Sequence, residues 1–200
     1  YIYIDNEFNE KIHSLEEIAD IVGEKIGFPV FVKPSNSGSS VGINKSHNIE
    51  ELKEHIKYAS QFDNKILIDQ VINAREVECA ILDGTEVKAS TVGEIMSAEE
   101  FYSFDAKYNI PESKTIIPAN INKSKIEEIQ KLAIKAFKTI DGRGLARVDF
   151  FLEKATNKIY INEINTMPGF TPISMYPKLF ENSKIKYSEL IDKLIQNAIK

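Results

Sequence analysis

The strongest constraint on this chain is a pair of alternating stretches late in its sequence. Ala146, Val148 and Phe150 alternate with Arg147, Asp149 and Phe151, and a period of two predicts a strand. Lys158 to Asn165 predicts its partner. Side chains of a strand alternate between faces, so Glu163 and Asn165 share one face. Pairing of the two strands lets Asp149 join them. Two carboxylates and an amide oxygen around one point form a hard, oxygen-only site. Such a site suits Mg²⁺, which takes one or two carboxylates and leaves its other positions to water and phosphates. Pro168-Gly169 then breaks the strand and offers backbone N–H groups at the same end. Arg147, two residues before Asp149, is either part of a structural ion-pair cluster or a cation for charge developing on a transferred group.

The 200 residues are 42% hydrophobic and 28% charged, which permits one large domain or two small ones with a proper core. A net charge of -5 argues against a broad nucleic-acid-binding face. The single cysteine, Cys79, lies in an apolar run and is expected in a buried strand. With no disulfide framework, a reducing, cytoplasmic location is expected. No apolar run approaches the ~20 residues of a membrane span, and no signal-peptide pattern opens the chain. The sequence starts at Tyr1, inside what reads as a strand, so a piece of a longer protein is expected.

Taken in order, Tyr1 to Asp5 predicts a strand end. Ser14 with Glu17 is a capping box that should start a helix running to about Ile26 and stopping at Gly27. Pro29 to Lys33 is a short strand, and Val41 to Lys45 its return. Asn48 with Glu51 caps a second helix to about Ser60, and Lys65 to Gln70 is a strand. Glu76 to Leu82 and Thr85 to Ser90 flank Asp83-Gly84, a two-residue hairpin signal. Residues 97 to 114 show no sustained period and read as a functional or mobile loop. Ser124 with Glu127 predicts the cap of a third helix to about Ile140. Ser188 to Ala198 closes the chain as an amphipathic helix. Hairpins rather than regular β-α-β alternation make the class α+β. The three histidines, His13, His47 and His55, show no ligand spacing and are taken as surface residues.

Three further stretches bear chemistry. Val32 to Gly42 holds Lys33 and a Gly/Ser tip that includes Ser39 and Ser40. Such a tip either folds over a polyphosphate or is a solvent-exposed turn. Ile66 to Ile72 is an apolar strand ending in a polar break, followed by Glu76. It is either a strand end before a solvated acid or a hinge whose backbone meets a base edge. Phe101 to Tyr108, with Lys107, is either a surface loop or a lid that closes on a phosphate.

In this order, these stretches resemble the ATP-grasp superfamily and, within it, the D-alanine–D-alanine ligases. The resemblance covers essentially the whole chain. It is most specific at Val32 to Gly42, Tyr102 to Tyr108, Arg147-Val148-Asp149 and Asn162 to Pro177. It implies an α+β ATP-grasp fold whose two subdomains, residues 1–72 and 73–200, grip ATP. It implies Lys33 and Lys107 on the phosphates, with Ser40 beside them. Asp69, where the family more often has glutamate, and the backbone of Gln70, Val71 and Ile72 would meet the adenine. Glu76 would hold the ribose. Asp149, Glu163 and Asn165 match ligands of two Mg²⁺ ions, for which Mn²⁺ can substitute.

In such enzymes ATP phosphorylates the carboxylate of a first D-alanine, and the amine of a second displaces the phosphate. Arg147 and the Gly169 N–H match the groups that stabilise the tetrahedral intermediate. Ser39 and Tyr108 match a pair that closes the lid over the first D-alanine. Ser174 and the Met175 backbone match the clamp on the second substrate's carboxylate. Tyr108 in the lid and Met175 in the clamp favour D-alanine over D-lactate or D-serine as acceptor, because relatives using those acceptors tend to lack the tyrosine or carry arginine at the second position. D-alanine and ATP are thus the implied partners, with no nucleic acid or membrane, and a homodimeric full-length parent.

Family members also carry a preceding domain of roughly a hundred residues, with a glutamate for the first D-alanine's ammonium and a further phosphate-binding lysine. Neither has a counterpart in these 200 residues. The expectation is that the isolated chain binds Mg·ATP weakly and makes no dipeptide. A phosphate-release assay with D-alanine checks it, and robust D-alanine-dependent turnover would overturn it.

Overall fold

The computed structural model describes residues 2–5, 14–36, 41–96, 114–171 and 173–199. These fall into two compact units, the first closing at Ile72 and the second opening at Asn73. In the first unit, strands β1 (Ile2–Asp5), β2 (Val30–Pro34), β3 (Asn44–Ser46) and β4 (Lys65–Gln70) form an antiparallel sheet in the order β1-β4-β2-β3. Helices α1 (Leu15–Lys25) and α2 (Ile49–Ala59) lie in the chain around β2 and β3. Their apolar stripes, including Ile18, Val22, Leu52 and Ile56, are buried with Val30, Val32, Ile66 and Ile68 of the sheet. Each such side chain contributes roughly 1.5–3 kcal/mol by leaving water.

The helix starts follow the expected local chemistry. Ser14 and Glu17 bond reciprocally as a capping box, and the Asn48 side chain accepts from the Glu51 N–H. Helix α1 ends before Gly27, whose φ of 76° suits a residue without a Cβ. The return strand begins at Asn44 rather than Val41. His55 is not a plain surface residue: half-buried, it shares a 2.8 Å hydrogen bond with the buried Ser46 hydroxyl. His13 lies outside the described residues.

The second unit is a five-stranded antiparallel sheet, β5 (Ala74–Leu82), β6 (Lys88–Met96), β7 (Lys114–Ile116), β8 (Leu145–Glu153) and β9 (Ile159–Asn165), in the order β7-β6-β5-β8-β9. Helix α3 (Lys123–Thr139) buries Ile129, Ala133 and Phe137 against Val77, Cys79, Ile81, Ala146, Val148 and Phe150 on one face. On the other face, α4 (Met175–Asn182) and α5 (Tyr187–Ala198) pack against Ala80 and Leu82. Gly93 admits that approach: a Cβ there would stand 2.6 Å from the Met175 Cε. Burial pushes the Cys79 thiol up to about 12 despite hydrogen bonds with Ser90, so it is a structural strand residue. No described helix is long and apolar enough to cross a membrane.

Two expectations about the second unit need correction, and three of its features were not expected. The β5–β6 connection is five residues, 83 to 87, because Leu82 pairs with Lys88. Asp83 is drawn away from a tight turn, its N–H donating to the Gly144 carbonyl at 2.8 Å and its carbonyl accepting from the Asn197 amide. Ser124 is not a cap but lies within α3, whose N-cap is Asn122 without a side-chain bond. The Ala119 N–H donates to the Val92 carbonyl at 2.7 Å, which fixes the turn so close to α3 that the helix starts before Ser124. Helix α4 and strand β7 were not anticipated. Finally, β6 carries a bulge opposite Ala80, between the pairs Cys79–Val92 and Ile81–Ala89. The buried Ser90 hydroxyl fills the ladder there, accepting from the Ala80 N–H at 2.9 Å.

Replacing Ser90 with alanine leaves that N–H unsatisfied inside the protein. The expected cost is about 1–3 kcal/mol, read as a lower urea midpoint at unchanged slope.

Candidate functional site

The candidate side chains on the second unit's sheet lie on the face opposite α3. Strand β8 alternates strictly, with Ala146, Val148, Phe150 and Leu152 buried and Arg147, Asp149 and Phe151 on the other side. The register sets Arg147 opposite Asn165 and Asp149 opposite Glu163. On the other flank of β8, Glu78 of β5 stands opposite Asp149. Glu78, Asp149 and Glu163 therefore form a row of carboxylates across three neighbouring strands. Directly opposed like charges destabilise a sheet, so this row needs cations.

Arg147 supplies one. Its Nε and Nη2 donate to the two oxygens of Asp149 at 2.7 and 2.6 Å, a bidentate pair. The same Nε lies 3.2 Å from the Glu78 carboxylate. Burial works against the charged guanidinium, but the hydrogen bonds and charge of Asp149, then the charges of Glu78 and Glu163, outweigh it and raise its pKa. Arg147 is a permanent cation at this corner. Among the described residues, no group of three or more His, Cys, Asp and Glu side chains is arranged to hold a metal ion, and Arg147 stands between Glu78 and Asp149. The donor chemistry nevertheless fits a hard cation: Asp149 and Glu163 adjoin across the strands, and Asn165 is two residues along. The Asn165 side-chain oxygen accepts from the Met167 N–H at 3.1 Å, which leaves one of its two lone pairs.

A bulge at Asn162 shifts the β8–β9 pairing between Asp149 and Phe150. Bulges re-aim side chains beside sites of this kind. Here Glu163 and Asn165 stay on the acidic face while Ile164 packs into the α3 core.

Beyond β9 the chain brings two expected residues into contact. A Cβ at Gly169 would meet the Ser174 hydroxyl at 2.9 Å, so a larger residue there would displace that hydroxyl from Thr171. The Ser174 hydroxyl accepts from the Thr171 N–H at 3.0 Å and lies 2.8 Å from the Thr171 hydroxyl. Ser174 is the N-cap of α4 without bonding its own helix. Met175 buries its side chain under Gly93 and so presents only its backbone, at a helix N-terminus that favours anions. Pro177, in the same turn, has no N–H to offer.

In the first unit, Lys33 and Asp69 meet in a 2.5 Å ion pair. The Val71 N–H donates to the Pro29 carbonyl at 3.4 Å, which occupies one of the hinge donors expected for a base edge. Gln70 ends β4 opposite Val30, and Ile72 follows in irregular backbone. Glu76 of β5 belongs to the second unit and shares its face with Glu78. Ser39, Ser40, Lys107 and Tyr108, with most of the expected lid, lie outside the described residues.

Glu78 and Thr171 were missed in the sequence. The signal for Glu78 was present: a charge inside the apolar run Val77 to Leu82, two residues from Glu76 and so on the same strand face. Replacing Arg147 with methionine would leave the carboxylate row without its internal cation. The expected loss is about 3 kcal/mol of stability in metal-free buffer, measured by denaturant unfolding.

Comparison with known proteins gives consistent results. Residues 3–196 match the family model described as D-Ala D-Ala ligase C-terminus. A D-alanine–D-alanine ligase of Acetivibrio thermocellus is 54% identical over 199 residues, covering 100% of this chain and 52% of that protein. The solved D-alanine–D-alanine ligase of Coxiella burnetii superposes with a TM-score of 0.81 at 35% identity, covering 94% of this chain and 49% of its own. VanG, a D-Ala:D-Ser ligase of Enterococcus faecalis, gives 0.82 at 33% identity, covering 98% and 55%. The chain spans about half the length of the curated relatives it matches.

Proposed function

The chain belongs to the D-alanine–D-alanine ligase C-terminal family, and from that premise we propose that it is the ATP-grasp portion of an ATP-dependent ligase joining two D-alanines for peptidoglycan precursors. The observation that carries the reading is the acidic corner, where Asp149 and Glu163 stand side by side with Arg147 and Asn165. The reaction would transfer the terminal phosphoryl group of ATP to the carboxylate of the first D-alanine. The amine of the second would then attack the acyl carbon, forming the amide and releasing phosphate.

Asp149, Glu163 and Asn165 would hold two Mg²⁺ ions, or Mn²⁺ in their place, and these supply neutralisation and alignment of the phosphate oxygens. Lys33 adds a fixed charge on the phosphates, and its ion pair with Asp69 holds it in place. Asp69 and the backbone of Gln70, Val71 and Ile72 would meet the adenine, Val71 through its carbonyl because its N–H is bonded to Pro29, and Glu76 would hold the ribose. Arg147 and the Gly169 N–H act on the oxyanion of the tetrahedral intermediate. Ser174 and the Met175 N–H hold the acceptor's carboxylate at the start of α4. Ser39 and Tyr108 act as the lid pair, and Ser40 and Lys107 act on phosphate. Residues 1–72 and 73–200 serve as the two ATP-grasp subdomains, in a cytoplasmic and homodimeric parent enzyme.

D-Alanine is favoured as acceptor because the curated relatives at 48–56% identity are named D-alanine–D-alanine ligases. Product analysis with D-alanine, D-serine and D-lactate separates the three. In a full-length ligase carrying this chain, Asp149→Ala should lower D-alanine-dependent phosphate release by at least about 100-fold. An unchanged rate would remove Asp149 from the site.

A further inference from the structure

The metal reading meets an obstacle in the same corner. Asp149 offers both carboxylate oxygens to Arg147, at 2.7 and 2.6 Å. A bidentate guanidinium neutralises its carboxylate and repels an approaching cation. Asp149 cannot serve Arg147 in this way and a divalent ion at the same time at full strength. Arg147 must then be released without leaving the corner, where the proposed oxyanion role needs it. It therefore requires a second anionic partner within a small movement.

Glu78 meets that requirement. It is buried, with 5% exposure, on the middle strand of the sheet and directly opposite Asp149. Its carboxylate already lies 3.2 Å from the Arg147 Nε. A buried carboxylate in a sheet is costly unless paired, and it stands in a like-charged row where an apolar residue would pack more cheaply. Three carboxylates against one guanidinium leave two negative charges, a field that draws divalent cations to the corner. We propose that Glu78 is a positioning residue that takes over the Arg147 guanidinium when a divalent cation takes Asp149. Glu78 stays out of the metal's own ligand set. Its charge releases Asp149 for the cation and keeps Arg147 directed into the site. This rests on the proposed ligase function, and it gives a role to a residue that function does not otherwise use.

The test is a double-mutant cycle on a full-length ligase carrying this chain. Mn²⁺ is titrated in the presence of a non-hydrolysable ATP analogue, and free Mn²⁺ is followed by its electron paramagnetic resonance signal. Wild type, Glu78→Gln, Arg147→Met and the double variant are compared, with folding checked by circular dichroism. Glu78→Gln should weaken Mn²⁺ by about tenfold or more when Arg147 is present. With Arg147→Met, where Asp149 is already released, the same substitution should change affinity by less than about twofold. Equal losses in both backgrounds would reveal a plain through-space charge effect, and no loss in either would reveal a purely structural residue. Either outcome overturns the proposal. If Glu78→Gln does not fold, Glu78→Asp enters the same cycle with the same criterion. Failure of the wild type to bind Mn²⁺ with the nucleotide analogue would instead count against the ligase reading, before Glu78 is considered.

Discussion

The ion pair between Arg147 and Asp149 offsets the like-charge repulsion that the pairing of the second unit's strands creates. Antiparallel pairing of β5, β8 and β9 forces Glu78, Asp149 and Glu163 into one row. No choice of rotamer removes a residue from the row, because strand register fixes which side chains are neighbours. The row is tolerated because a guanidinium reaches two of its three members from the next position on the same strand face. A lysine would carry the same charge without the fork that engages both oxygens of Asp149. One guanidinium against three carboxylates leaves a net negative field at this corner.

The two faces of that sheet are built by opposite rules. Against α3, Val77, Cys79 and Ile81 of β5 and Ala146, Val148, Phe150 and Leu152 of β8 are buried and apolar with Phe137, and at the edge of that face Arg75 pairs with Glu94. On the other face, α4 and α5 cover Ala80, Leu82 and Leu145. Tyr176 is part of that cover, its buried hydroxyl donating to the Ile81 carbonyl at 3.0 Å. Toward Glu78 and Asp149 the same strands turn acidic. The rigid apolar half thus holds the charged half in register, a division that suits a site needing fixed geometry.

Much of this was legible in the residues, for identifiable reasons. Period-two alternation in β8 survived because one face is fully buried, so each side chain had one acceptable direction. The caps at Ser14 and Asn48 were readable because they are local, needing only residues three apart. Failures arose where distant contacts overrode a local signal. Asp83-Gly84 has the composition of a tight turn, but bonds to Gly144 and Asn197 spread the loop to five residues. Ser124 and Glu127 have cap spacing, but the turn before Asn122 is fixed from β6. The bulges at Asn162 and opposite Ala80 exist only in the pairing of two strands, and one strand's pattern cannot reveal them. Glu78 was visible as a charge in an apolar run, but its meaning depends on register with a strand some seventy residues away.

The segment after β9 shows how contact geometry can select backbone over side chain. Gly169 lies so close to the Ser174 hydroxyl that a Cβ there would make that hydroxyl shift, and the hydroxyl is held by Thr171 rather than by its own helix. Position 175 buries its side chain in the core. Met167 and Ile173 of the same segment are exposed, and Pro177 reduces the number of free N–H groups in the first turn of α4. Backbone donors cannot be altered by substitution without disturbing the packing that sets them. A carboxylate bound there would be recognised by its shape and charge. Discrimination between acceptors would then fall to the side chains that border them. This is why an arginine in place of Met175 would be more than a surface change: it would have to leave the core beneath Gly93 and carry a new charge to the same helix start.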